Sequence, residues 1–168
     1  APRVEMAESD QSTTREGFNH RALLSDETFA DLIFQVDGKF NVRAHSCVVA
    51  VRCEQMLNQK ASIKSKRKKK NLTTIALKDG FITAETLKEV LNFLYVGEIN
   101  FPNLSMADVL LLNVAARNYG LKRLVWLCED WLRNHLDMEN VFQILRLAHD
   151  LQEMNVKNFS LEYALKHY

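Results

Sequence analysis

The chain has 168 residues, of which 47% are apolar and 26% charged, and its formal net charge is +1. With only five Gly and two Pro, this composition fits a globular domain and excludes collagen-like or Pro-rich low-complexity chains. No apolar run is long enough to cross a bilayer. Three cysteines at unpatterned spacings and the lack of a secretory signal pattern lead us to expect an intracellular protein, cytoplasmic and/or nuclear, with free thiols.

The positive charge is concentrated in one tract. Six of the 22 Lys and Arg residues lie between positions 64 and 70, against 21 Asp and Glu in the whole chain, so the rest of the chain is acidic. We predict a basic loop over 60–71, and its function stays open between a solvated loop, a nuclear localisation signal and a phosphate-binding patch. The tract has no interleaved aromatic residues, which argues against nucleic acid as a partner. Its basic residues are Lys64, Lys66, Arg67, Lys68, Lys69 and Lys70.

The amino-terminal part of the chain carries little structural signal. Residues 1–16 are polar and lack periodicity, which predicts a disordered arm. A short apolar patch formed by Phe18, Leu23 and Leu24 marks where order is expected to begin.

The segment 31–44 predicts a β-hairpin. Leu32, Phe34 and Val36 fall on one face of a strand, and the alternation repeats at Phe40, Val42 and Ala44. Asp37-Gly38 lies between the two runs and favours the positive φ angles of a two-residue turn. A helix is then predicted over 46–58, and a further strand over 72–77 that could join the hairpin in a sheet.

From Thr83 onward the periodicity is helical. Thr83 and Ser105 are predicted helix caps, Gly97 is a predicted helix end, and Asp137 could cap a later helix. The last helix has no Gly or Pro stop, so we expect the natural protein to continue. The fold class is therefore predicted to be α+β, with a small sheet capped by a helical cluster. The predicted helices cover 83–97, 106–118, 121–135, 138–153 and 155–168.

Catalytic and metal-binding motifs are missing from the sequence, and we predict neither an enzyme nor a cofactor. Asp31 and His45 bracket the hairpin. They fit either an acid–base couple or, preferably, a structural carboxylate–imidazole hydrogen bond, because no nucleophile lies near them in sequence. Trp126 falls on the charged side of its helix. It is interpreted as covered by the helices that follow, with an interface anchor as the alternative.

The chain contains a set of short motifs: Phe29-Ala-Asp31, Asp37-Gly38, Ala44-His45, Val48-Val49-Ala50, Arg52-Cys53, Val90-Leu-Asn-Phe-Leu-Tyr-Val-Gly-Glu-Ile99 and Ala115-Ala-Arg-Asn-Tyr-Gly-Leu121. Together they resemble the BTB/POZ family, and residues 138–148 resemble the opening of a BACK domain. The resemblance implies a BTB/POZ domain over 17–136 and the first, 3-box-like helices of a BACK module over 137–168.

The resemblance also implies a function. Many BTB-BACK proteins are substrate adaptors for cullin-3 ubiquitin ligases, with the substrate protein bound by a domain that would lie outside this chain. The residues that the resemblance assigns to cullin-3 binding are Met56, Leu57, Ile63, Tyr119, Leu121, Val141, Phe142 and Leu145. Phe18, Leu23 and Leu24 are the candidates for a homodimer interface.

The sequence departs from the family pattern at three places. Ile63-Lys64-Ser65 stands where adaptors often carry an acidic contact, and Ser46 stands where corepressor-binding members have a basic residue. Strongly dimeric members begin with a long apolar helix, whereas only Phe18 to Leu24 is available before the first strand here. Dimerisation is therefore plausible but is not implied by the resemblance. The alternative function is an oligomerising scaffold or transcription-related domain with a nuclear localisation tract.

Overall fold

The computed structural model describes residues 20–58, 62–63, 72–77 and 80–168. The arm 1–16, Phe18 and the basic residues of 64–70 lie outside these ranges. No helix within the described ranges has both the length and the apolar content needed to cross a membrane.

The sheet has four strands in the order β2-β1-β4-β3, namely β1 Leu32–Val36, β2 Phe40–Ala44, β3 Ser62–Ile63 and β4 Thr73–Leu77. The predicted hairpin is confirmed: β1 and β2 are antiparallel, and Asp37 and Gly38 both have positive φ. The predicted further strand, β4, pairs in parallel with β1. A parallel pair needs a crossover connection, and this segment contains two short helices. The two-residue β3, within the predicted basic loop, pairs with β4 and was not foreseen.

The eight helices of the described ranges follow the predicted order with three differences. The helix predicted over 46–58 is two helices, because the backbone of Cys53, with a φ of −159° and a ψ of 75°, leaves the helical region and interrupts it. A six-residue helix precedes the sheet, and Asp137 caps the turn before α7 rather than α7 itself. The helices are α1 His20–Ser25, α2 Ser46–Arg52, α3 Glu54–Leu57, α4 Ala84–Val96, α5 Met106–Asn118, α6 Lys122–Asn134, α7 Val141–Asp150 and α8 Met154–His167.

The predicted caps of α4 and α5 are confirmed. The Thr83 side chain accepts a hydrogen bond from the Thr86 N–H, and Gly97 ends α4 in the left-handed region. Ser105 and Asp108 form a complete capping box at the start of α5. Each cap satisfies backbone groups that the first or last turn of a helix leaves without an intrahelical partner.

Helix α5 is the centre of the helical cluster. Seven of its 13 residues are buried, and α4, α6 and α7 pack around it. Even the amide of Asn113 is buried, where its Nδ2 donates to the Val125 carbonyl at 3.2 Å. One continuous hydrophobic core runs from Leu32 in the sheet to Ala164 in α8, so α7 and α8 are packed into the same core as the sheet.

A charged cluster joins α5, α6 and the start of α8. The Arg117 guanidinium lies 2.8 Å from a carboxylate oxygen of Glu129 and 3.0 Å from one of Glu153. The Asn155 amide donates to Glu129 from the first turn of α8. Glu153 is only 5% exposed, and this burial raises the pKa of its carboxyl, an effect that Arg117 opposes and Glu129 reinforces.

This raised pKa gives a testable pH dependence of stability. A carboxyl that binds its proton more tightly in the folded chain stabilises the fold when protonated, and this contribution is lost as pH rises from the unfolded pKa, about 4.5, through the folded pKa. Glu153→Gln removes the ionisation. We therefore expect the stability of the variant relative to the wild type to rise as the pH is raised from about 4 to about 8, by about 1.4 kcal/mol for each unit by which folding raises the pKa of Glu153.

The measurement is urea unfolding of both chains across this pH range. Glu162→Gln on the same helix is the matched control, since Glu162 is exposed, and it should run parallel to the wild type. If Glu153→Gln instead loses stability relative to the wild type as pH rises, then pairing with Arg117 outweighs burial and the interpretation is wrong.

Candidate protein-interaction surfaces

A contact between Asp31, just before β1, and Ser46, the first residue of α2, fixes the sheet to α2. Asp31 accepts hydrogen bonds from the backbone N–H and the hydroxyl of Ser46. Burial alone would raise the pKa of Asp31, but these two bonds outweigh it and hold the pKa below its usual value. Asp31 therefore acts as an ionised anchor for the first turn of α2.

The predicted hydrogen bond between Asp31 and His45 is wrong. The His45 Nδ1 instead pairs with the Tyr95 hydroxyl of α4 at 2.8 Å, and the same hydroxyl accepts the His45 backbone N–H. Because Ser46 offers two donors directly after the strand, it takes the Asp31 carboxylate, and the imidazole turns toward α4. His45 and Asp31 therefore serve two separate contacts that both hold the sheet to the helices.

Two of the three cysteines lie in the core of the molecule. Cys53 and Cys128 are buried, and burial raises the pKa of both, that of Cys128 to about 12. A thiol with such a pKa stays protonated and is a poor nucleophile. Cys47 is exposed. Within the described ranges, no group of His, Cys, Asp and Glu side chains is placed to hold a metal ion.

Helix α3 and the loop Tyr119–Leu121 form one corner of the molecule, here called the α3–α6 corner. The Cys53 thiol lies 3.5 Å from the Tyr119 carbonyl, and Gly120 lies against the Gln55 side chain. Gly120 has a φ of 68°, a backbone conformation that favours glycine, and a Cβ there would meet Gln55 Oε1 at 3.0 Å. The structure therefore joins two chain segments that were predicted, from the resemblance, to share a partner.

The eight candidate cullin-binding residues differ in burial, and their role in binding stays a prediction. Four are buried in the core: Met56, Tyr119, Leu121 and Val141. Leu57 and Leu145 are half-buried, and Phe142 is exposed. The backbone of Ile63 belongs to β3, and its side chain lies outside the described features.

Helix α7 has two apolar faces. Val141, Ile144 and Ala148 are buried against the core. Beside this buried face lie Phe142, which is 53% exposed, half-buried Leu145, and Met138 just before the helix, which is 40% exposed. Met138, Phe142 and Leu145 are spaced by four and three residues and so share one side, here called the α7 outer stripe. Met138 was missed as a candidate, although its spacing from Phe142 was visible in the sequence.

The candidate dimer-interface residues Leu23 and Leu24 of α1 are half-buried where α1 packs on α4. Their role in dimerisation stays a prediction.

The interpretation of Trp126 as covered is wrong, because its side chain is 63% exposed. Helices do follow α6, but α8 packs on a different side, where Arg133 lies over the Phe159 ring. The sequence shows that helices follow α6, but it does not show which face of α6 they cover.

The fold and its sequence motifs agree with the comparisons to known proteins. The BTB/POZ domain family model matches residues 20–136, and this chain belongs to the BTB/POZ family. Among solved structures, it is similar to the BTB domain of zebrafish PATZ1, with 19% sequence identity and a TM-score of 0.49, covering 69% of this chain and 86% of that one. BTB/POZ domains are protein–protein interaction modules and are generally non-catalytic.

Proposed function

We propose that this chain is a substrate adaptor that binds cullin-3 and thereby brings a substrate to a ubiquitin ligase. The observation that carries the proposal is the α7 outer stripe, where Phe142 presents an aromatic side chain that is 53% exposed. An aromatic anchor with apolar neighbours on a rigid element is the usual origin of interface affinity. Residues 138–148 are also those that resemble the opening of a BACK domain.

The second surface in this proposal is the α3–α6 corner. Half-buried Leu57 lies at the end of α3, and the corner is fixed to the end of α5 through Cys53 and Tyr119. Helix α7 packs on the same α5, so one buried helix supports both surfaces. The sequence lacks the acidic contact that many adaptors carry after α3. The affinity would therefore come mainly from apolar contacts.

Calorimetry with the purified cullin-3 N-terminal domain tests this proposal. The wild type should bind with a dissociation constant in or below the micromolar range. Phe142→Ala should weaken binding by about 2 kcal/mol, or roughly thirtyfold, because a central aromatic anchor is lost. Its exposed position means that the variant should keep the thermal midpoint of the wild type.

Leu165→Ala is the matched control, since Leu165 is an exposed apolar residue of α8 that lies outside both surfaces. It should bind as the wild type does. The proposal fails if the wild type gives no heat at tens of micromolar, or if both variants weaken binding equally.

We also propose that the chain self-associates through α1. Leu24 lines two surface depressions together with Lys88 of α4, so its apolar surface is only partly covered within one chain. A second copy would cover it. If this chain dimerises but does not bind cullin-3, the alternative of an oligomerising scaffold or transcription-related domain gains support.

Light scattering at increasing protein concentration measures the oligomeric state. The wild type should approach the mass of a dimer, and Leu24→Asp should stay at the monomer mass while keeping its helical circular dichroism. A wild type that is monomeric at about 100 μM, or a folded Leu24→Asp chain that still dimerises, would rule out this interface.

A further inference from the structure

A pocket of about 260 Å³ opens where the end of α2, the end of α4 and the start of α6 meet. Its apolar lining consists of Phe93 and Leu94 of α4 and of Leu121, which directly precedes α6. Leu94 and Leu121 are buried and Phe93 is half-buried, so the lining is held in place by the core. The volume is below that of a pocket for a drug-sized ligand and suits a single side chain.

Three cations surround this apolar lining. Arg52 lies at the end of α2, and Lys122 and Arg123 begin α6. All three are exposed, and no Asp or Glu lines the pocket. Among the described residues, none of the three forms an ion pair. The chain is acidic outside the tract 64–70, which makes this local excess of positive charge more distinctive.

The positive charge and the small apolar lining of this pocket together indicate the chemistry of its partner. We propose that this pocket, here called the α2–α6 pocket, docks an acidic segment of another protein. An apolar side chain of that segment would pack against Phe93, Leu94 and Leu121, and flanking carboxylates would pair with the three cations. Nucleic acid is a poorer fit, because its affinity comes from many phosphate contacts and this pocket offers only three cations.

Fluorescence anisotropy with the full chain tests the proposal without cullin-3. The probe is a labelled peptide with one Leu flanked on both sides by Asp and Glu. We expect a dissociation constant of about 10–100 μM, and weaker binding as NaCl screens the carboxylate–cation pairs. Replacing the Leu by Ser, or the acidic residues by Asn and Gln, should each weaken binding by at least about tenfold.

The double variant Lys122→Glu/Arg123→Glu should weaken binding by at least about tenfold. It should remain folded, because the first turn of α6 carries no acidic residue and a helix amino terminus favours one. The matched control is Lys39→Glu/Lys166→Glu, which makes the same change in net charge at exposed positions away from the pocket. This control should bind nearly as tightly as the wild type.

Four results would overturn the proposal. Equal weakening in both double variants would mean that only net charge attracts the peptide. Equal binding of the Ser-containing peptide would exclude a role for the apolar lining. Displacement by a short oligonucleotide with higher affinity than the peptide would identify a nucleic-acid site. Binding by a chain that lacks residues 1–16, but not by the full chain, would show that this chain's own acidic residues Glu5, Glu8 and Asp10 occupy the pocket.

Discussion

The burial of α5 is the constraint on which the helical part of this structure depends. A helix that is apolar on nearly all sides is stable in water only when other elements cover each of them. Helices α4, α6 and α7 do so, and the sheet and the remaining helices pack around this arrangement. The match to the BTB/POZ family ends at residue 136, yet the hydrophobic core continues through α7 to Ala164 in α8. Helix α7 therefore covers one side of α5 and also carries the α7 outer stripe on its solvent-exposed side.

Polar contacts hold the helices and strands of the molecule in position, and exposed and half-buried residues form its candidate interaction surfaces. Asp31 and His45 attach the sheet to α2 and α4, and Arg117 attaches α6 and the start of α8 to α5. These contacts hold the connected elements in fixed positions. The surfaces differ in character: the α7 outer stripe is apolar, whereas the α2–α6 pocket combines an apolar lining with cations. The α2–α6 pocket adjoins the α3–α6 corner at Leu121, whereas it shares no residue with the α7 outer stripe.

The local structure of this chain could be predicted from the sequence where a few neighbouring residues determine it. Asp37-Gly38 specifies the hairpin turn, and Thr83, Gly97 and Ser105 specify helix ends, because each acts within four residues of itself. The errors concern contacts between distant segments. The partner of His45 is Tyr95, fifty positions later, and the exposure of Trp126 depends on how α8 packs on α6. Likewise, periodicity identified Val141 and Phe142 as apolar residues of one helix but did not reveal that Val141 is buried and Phe142 exposed.

Native-state hydrogen exchange tests most directly whether α7 and α8 share one cooperative core with the BTB/POZ domain. The slowest amides of α7, such as that of Ile144, should exchange with the same free energy and the same urea dependence as those of α5, such as Leu112, because both would open only on global unfolding. An opening of α7 and α8 at clearly lower free energy, while α5 stays protected, would contradict the account. The outer stripe would then belong to a separately mobile unit.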